Sequence, residues 1–169
     1  MRVATASVLV VLCLASLACQ GGAHPPEAAV SGIGSPMPRF ELTSLDGAKV
    51  NTASLEGKVV LFDFWATWCG PCHEQTKVLK GLYPELREGG VTLLAVNSGE
   101  DEETVRSFAA RSPFPYPVLL DPRDSLSTQF QVSVLPTLVV IDRHGKVMAF
   151  EEGLVDGDSL RETLKRAGA

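Results

Sequence analysis

Apolar and polar positions divide this chain into three zones. From Val3 to Leu17 every residue is apolar or small. From Gln20 to Pro38, Gly, Ala, Pro and Ser dominate and no apolar period is visible. Beyond Arg39 the pattern becomes that of a folded domain. Phe40-Glu41-Leu42 alternates, Asp46-Gly47 marks a hairpin turn, and Lys49-Val50-Asn51 returns. Val59 to Trp65 is a β-branched and aromatic run broken only by Asp63, the pattern of a buried central strand. The helix predicted after it carries Cys72, Leu79, Leu82 and Leu86 on one face. Gly81 and Pro84 are expected to bend or interrupt that helix, and Gly89-Gly90 to end it.

The remaining elements follow the same logic. Val91 to Val96 reads as a second buried strand, and Glu102 to Arg111 as a helix with Val105, Phe108 and Ala109 inward. Pro113-Phe114-Pro115-Tyr116-Pro117 is a stiff loop, Val118 to Leu120 a short strand, and Ser125 to Phe130 a short helix. Thr137 to Ile141 and Val147 to Phe150 form an antiparallel pair around Arg143-His144-Gly145. Asp158 to Ala167 is the last helix, with Asp158 as its expected N-cap. The sum is an α/β domain, a mixed sheet flanked by helices.

Length and charge narrow this picture. The 169 residues suffice for one domain with a sizeable core and a short extension. The formal net charge is −5 and no basic run occurs, which argues against nucleic acid and against peripheral binding to anionic lipid. Met1-Arg2 and the apolar stretch behind it read as a secretory signal over residues 1–18, too short for a spanning helix. Ser16-Leu17-Ala18 offers a small-residue cleavage site directly before Cys19, the arrangement of a bacterial lipoprotein acylated at Cys19. Ser16 stands where the usual lipobox carries Leu, so ordinary cleavage and an uncut anchor are the alternatives. Residues 19–38 then form a flexible tether, with His24 as a solvated linker residue. Residues 39–169 form the domain. Removing Arg2 with the signal would leave a formal charge of −6.

The cysteines carry the chemistry. Of Cys13, Cys19, Cys69 and Cys72, only the last two belong to the folded domain, so no second pair exists for a structural disulfide and no cluster supplies four zinc ligands; a static disulfide and a metal half-site are the alternative readings of the pair itself. Cys69-Gly70-Pro71-Cys72 sits where a strand gives way to a helix, and this reads as a redox dithiol. The spacing puts both sulfurs on one turn. It also sets Cys69 at the helix N-terminus, where the dipole and free N–H groups stabilise a thiolate. Cys69 is therefore the nucleophile and Cys72 the resolving thiol. Cys69 to His73 also matches the Cys-x-x-Cys-His haem-attachment pattern, for which His144 or Met148 would have to serve as axial ligand. His73 is either an exposed first-turn side chain or an imidazolium that helps hold the thiolate.

Asp63 is the least expected residue of its strand. A buried acid there, set among Phe62, Phe64 and the sheet core, costs free energy and marks a functional site with a raised pKa; the alternative is a side chain turned to solvent.

Phe62-Asp63-Phe64-Trp65-Ala66-Thr67-Trp68-Cys69-Gly70-Pro71-Cys72 resembles the active-site strand and turn of the thioredoxin superfamily. Leu55-Glu56-Gly57-Lys58-Val59-Val60-Leu61 and Val134-Leu135-Pro136-Thr137 resemble its membrane-tethered TlpA/ResA-like thiol-disulfide oxidoreductase branch, and the likeness runs from about Pro38 to the C-terminus. The resemblance implies a thioredoxin-like fold with an N-terminal β-hairpin and a central α/β insertion between about Asp101 and Asp121. It implies that Asp63 accepts the proton of Cys72, that Pro136 is a cis-proline against the redox pair, and that the Leu135 backbone pairs with substrate as an added strand. Trp65 is core, and Trp68 an apolar rim for docking substrate. Gly70-Pro71 is the dipeptide of thioredoxin, which implies a reductant of protein disulfides outside the cytoplasm. No cofactor beyond the dithiol is implied, and the electron donor is a membrane thiol-electron transporter. ResA-like proteins carry Glu three residues after the second cysteine; here that position is Gln75, while Glu74 is rotated away. The proton chemistry is thus moved from helix to strand. A thiol peroxidase lacks support, because the Pro-x-x-x-Thr-x-x-Cys motif is missing. A non-catalytic binding module is opposed by the intact cysteine pair.

Overall fold

The computed structural model describes residues 32–169. Seven strands form one sheet in the order β2-β1-β5-β4-β3-β6-β7. They are β1 (Glu41–Ser44), β2 (Lys49–Asn51), β3 (Val59–Trp65), β4 (Val91–Ser98), β5 (Val118–Asp121), β6 (Thr137–Ile141) and β7 (Val147–Glu152). The helices are α1 (Gly70–Glu88), α2 (Glu102–Arg111), α3 (Ser125–Gln129) and α4 (Gly157–Arg166). β3 lies between β4, parallel to it, and β6, antiparallel. That explains its unbroken burial, because both edges and both faces are covered. The β1–β2 hairpin adds to the sheet through β5, and Gly47, at a φ of +86°, makes its turn.

Alternation along β3 splits the core in two. Val59, Leu61 and Trp65 pack with Cys69, with Cys72, Leu79 and Leu82 of α1, and with Leu160 and Leu164 of α4. Val60, Phe62 and Phe64 pack on the other face with Leu126 and Phe130 near α3 and with Leu42 and Leu55.

Three expectations need correction. α1 runs unbroken through Gly81 and Pro84. Its stripe of Leu79, Leu82 and Leu86, buried against the sheet, holds the helix together across the missing proline N–H. Asp156, not Asp158, caps α4, accepting from the backbone N–H of Asp158 and Ser159; Asp158 instead pairs with Arg161. Contacts with the domain also begin before Arg39. Gly34 N–H donates to Val147, Val147 N–H to Ser35, and Met37 N–H to Gly145, so residues 34–37 lie along the start of β7. Cys19 and the rest of residues 1–31 lie outside the described residues.

Candidate active site

β3 ends at Trp65, and the turn Ala66-Thr67-Trp68 delivers Cys69 to the N-cap of α1. Cys69 precedes the first helical turn rather than lying in it, and Pro71 occupies a first-turn position where an N–H would have no helical partner. The Cys72 backbone N–H reaches the Cys69 sulfur at 3.2 Å. An N–H aimed at this sulfur, with the positive end of a 19-residue helix behind it, favours the thiolate when the bond opens. Here Cys69 and Cys72 are joined in a disulfide. Cys72 is fully buried and Cys69 is 4% exposed, while the neighbouring Trp68 is 73% exposed.

Asp63 is fully buried, and neither carboxylate oxygen has a hydrogen-bond partner. Its parity along β3 is that of Leu61 and Trp65, and its neighbours across the sheet are Ala95 and Leu138. All four belong to the cluster that contains Cys69 and Cys72. The carboxyl therefore lies on the face beneath α1, not among Phe62 and Phe64, which point the other way. Burial without compensation pushes its pKa up to about 7.

Leu135–Pro136 is cis. Thr137 pairs with Phe64, which brings Pro136 level with the end of β3, where the cysteine turn begins. Pro136 accepts from Gly153 N–H through its carbonyl oxygen. Trp68 and Leu135 line one groove of about 590 Å³, together with Ser98, Gly99, Ser127 and Val134.

Glu100, which the sequence reading did not single out, holds this turn together with His73. Glu100 accepts from Thr67 N–H at 2.7 Å, from the Thr67 hydroxyl, and from Asn97 Nδ2 at 2.7 Å. His73 Nε2 donates to the Thr67 carbonyl at 2.9 Å, and its ring packs on Phe108. His73 thus braces the turn backbone instead of facing the sulfur through that nitrogen. Gln75, known from the sequence only as a missing acid, is fully buried and clamps Val155. It accepts from Val155 N–H at 2.8 Å and donates to its carbonyl at 3.3 Å. Glu74 pairs at the surface with Lys77. Val60 pairs with Ile141, so His144 sits in the turn at the other end of the sheet from the cysteines. The sheet thereby separates His144 from any haem attached at Cys69.

A cysteine at a helix N-cap, a second one turn in, and a cis-proline beside them on a mixed sheet define a dithiol–disulfide exchange site. The chain belongs to the AhpC/TSA family of the thioredoxin superfamily, whose family pattern matches residues 33–150, and it is a thiol-disulfide oxidoreductase. It is 35% identical over 133 residues to the thiol-disulfide oxidoreductase ResA of Geobacillus thermodenitrificans, spanning 79% of this chain and 76% of that one. A structure assigned to a thiol:disulfide interchange protein DsbE of Chlorobium tepidum superposes with a TM-score of 0.75 at 29% identity, covering 82% and 99% of the two chains. The pneumococcal exposed lipoprotein thioredoxin Etrx1 of Streptococcus pneumoniae gives 0.70 at 28% identity, covering 76% and 98%.

Proposed function

We propose that this oxidoreductase reduces disulfides of extracytoplasmic proteins while held at a membrane of the bacterial cell envelope. The observation that carries the reading is the fully buried, unpartnered Asp63 on the sheet face that Cys72 packs against. The Cys69 thiolate attacks one sulfur of a substrate disulfide, forms a mixed disulfide, and expels the other sulfur as a thiolate. Asp63 takes the proton of Cys72. The Cys72 thiolate then attacks Cys69, closes the internal disulfide, and releases the second substrate sulfur. Two electrons pass to the substrate, and a membrane thiol-electron donor returns the pair to the dithiol. Trp68, Leu135 and Pro136 form the substrate surface: Leu135 supplies backbone for an added strand, and Trp68 an apolar rim.

The N-terminal zone supports the membrane location. Residues 1–18 fit a signal, Cys19 follows a small-residue cleavage site, and one relative is named an exposed lipoprotein. No helix among the described residues is long and apolar enough to cross a membrane. In this reading Cys19 carries lipid.

Trapping tests the function. Full-length Cys72→Ala, expressed in the cell envelope, accumulates mixed disulfides through Cys69, and mass spectrometry identifies extracytoplasmic partners. Cys69→Ala traps none and does not reduce insulin with dithiothreitol as donor. Full insulin reduction by Cys69→Ala overturns the assignment of the nucleophile. Trapping of peroxide-derived sulfenate without protein partners overturns the substrate class.

A further inference from the structure

The loop between β7 and α4 is pinned at two points beside the dithiol. Phe64, Thr137 and Glu152 share one row across β3, β6 and β7, so β7 ends level with the strand that leads into the cysteine turn. Gly153 N–H then donates to the Pro136 carbonyl at 2.8 Å. Two residues on, Gln75 holds both backbone polar groups of Val155. The Val155 N–H donates to Gln75 Oε1 at 2.8 Å, and the Val155 carbonyl accepts from Gln75 Nε2 at 3.3 Å. Gln75 is fully buried, three residues after Cys72 on the inner face of α1. The clamp needs a donor and an acceptor side by side. An amide offers both, an ionised Glu accepts only, and an apolar side chain leaves both Val155 groups without this partner.

Between the two anchors stands Leu154, 57% exposed. Backbone fixed on either side displays that apolar side chain at a set place. A single exposed leucine is ordinary, but this one has company. The exposed large apolar side chains among the described residues are Ile33, Trp68, Val134 and Leu154. Ile33 precedes the segment that joins the start of β7. The other three stand on the segments that meet at the dithiol: the turn before Cys69, the residues before Pro136, and the loop that Gln75 holds. Trp68 and Val134 share the groove of about 590 Å³ with Leu135; Leu154 lies outside it and supplies a separate contact.

We propose that Leu154 determines specificity at this exchange site, that Gln75 is the positioning residue that holds it there, and that the preferred substrate is a protein disulfide whose cysteine is flanked by apolar side chains. The occupant follows from continuity. These side chains stand on the segments around the sulfur that every substrate must reach, so what covers them is the chain on either side of the substrate cysteine. Covering them removes apolar surface from water, which favours apolar flanks. The inference rests on protein disulfides as the substrates of Cys69.

The test uses the reduced full chain and two synthetic disulfide-linked peptides, one with Leu and Val beside the cysteine and one with Ser and Gly. Stopped-flow tryptophan fluorescence with peptide in excess gives a half-saturating concentration and a limiting rate for each. The parent saturates at an about tenfold lower concentration of the apolar peptide. Leu154→Ala raises that concentration several-fold, and Leu154→Met, apolar and of similar size, restores it. Gln75→Leu removes both bonds, and it raises the half-saturating concentration more than it lowers the limiting rate. The double variant docks the peptide no worse than Leu154→Ala alone, because the clamp acts through a side chain already removed. Glu74→Gln, at the neighbouring surface acid that pairs with Lys77, matches the parent. Effects that multiply in the double variant, or Leu154→Met as weak as Leu154→Ala, overturn the inference, since general damage to the fold shows neither the coupling nor the rescue. Leu154→Ala changes only an exposed side chain, so the preference is read whether or not Gln75→Leu folds. A parent oxidised by neither peptide defeats the protein-disulfide reading and this inference with it. A parent oxidised by both at equal concentrations defeats this inference alone.

Discussion

Asp63→Asn separates the energetic cost of this carboxyl from its chemical use. Burial moves its pKa from 3.8 to about 7 in the folded protein, a change of about 3 units. At about 1.4 kcal/mol per unit this is worth about 4 kcal/mol. The sign follows from which state holds the proton. Below the unfolded pKa of 3.8, Asp63 is protonated in the folded and increasingly in the unfolded chain, and stability is highest. Between pH 4 and 7 the unfolded chain releases the proton and the folded one keeps it, so stability falls by about 1.4 kcal/mol per pH unit. Above pH 7 the loss levels off. Asn does not titrate, so the stability of the variant relative to the parent grows by about 4 kcal/mol from pH 4 to pH 8. An offset of about 1–3 kcal/mol against the variant, for a buried amide without partners, applies at every pH and leaves that difference intact. The assay is guanidinium unfolding of both oxidised proteins across this range, followed by tryptophan fluorescence. Other titrating groups cancel because the two chains share them. A difference that stays flat within about 1 kcal/mol refutes the raised pKa. In stopped flow the same variant slows resolution of the mixed disulfide more than the initial attack.

Three further outcomes are expected. Glu100→Ala frees the backbone and hydroxyl of Thr67 and the amide of Asn97. It lowers unfolding stability by about 2–3 kcal/mol and slows insulin reduction; unchanged values would show that the turn holds itself. Trp68→Ala removes an exposed ring, changing stability by less than about 0.5 kcal/mol while raising KM for a protein disulfide several-fold; equal KM values would remove Trp68 from the docking surface. Mass spectrometry of the mature chain should find an acylated N-terminal Cys19. A start elsewhere without acyl mass rules out the lipid anchor.

The sequence made the strand order of burial and the position of the dithiol legible, because both depend on local pattern. Val59 to Trp65 read as a buried strand, and Cys69 as the residue at the N-terminus of the helix that follows it. The acid in that strand was visible too, but its surroundings were not. Only the register with Ala95 and Leu138 assigns Asp63 to the cysteine face. Glu100 was hidden for a different reason. It reaches back 33 residues to Thr67, and in sequence it is one acid in a loop that ends in the Asp101 cap. Gln75 read as a lost carboxylate until its pairing with Val155, 80 residues away, gave it work of its own. α1 shows the converse limit. Local rules placed a bend or an interruption at Gly81 and Pro84, and the helix runs on through both.

The contact of residues 34–37 with β7 fixes how the domain can be presented. Val147 pairs with Ile141, and Ile141 with Val60, so the chain joins the sheet at the row where β3 begins. The dithiol turn leaves the opposite end of β3, five residues or roughly 17 Å further along. Anything that grips this protein through the residues before Gly34 holds it by one pole and points the sulfurs outward from the other. The reactive face is then free to sweep the space beyond the anchor, with the bulk of the domain as its standoff.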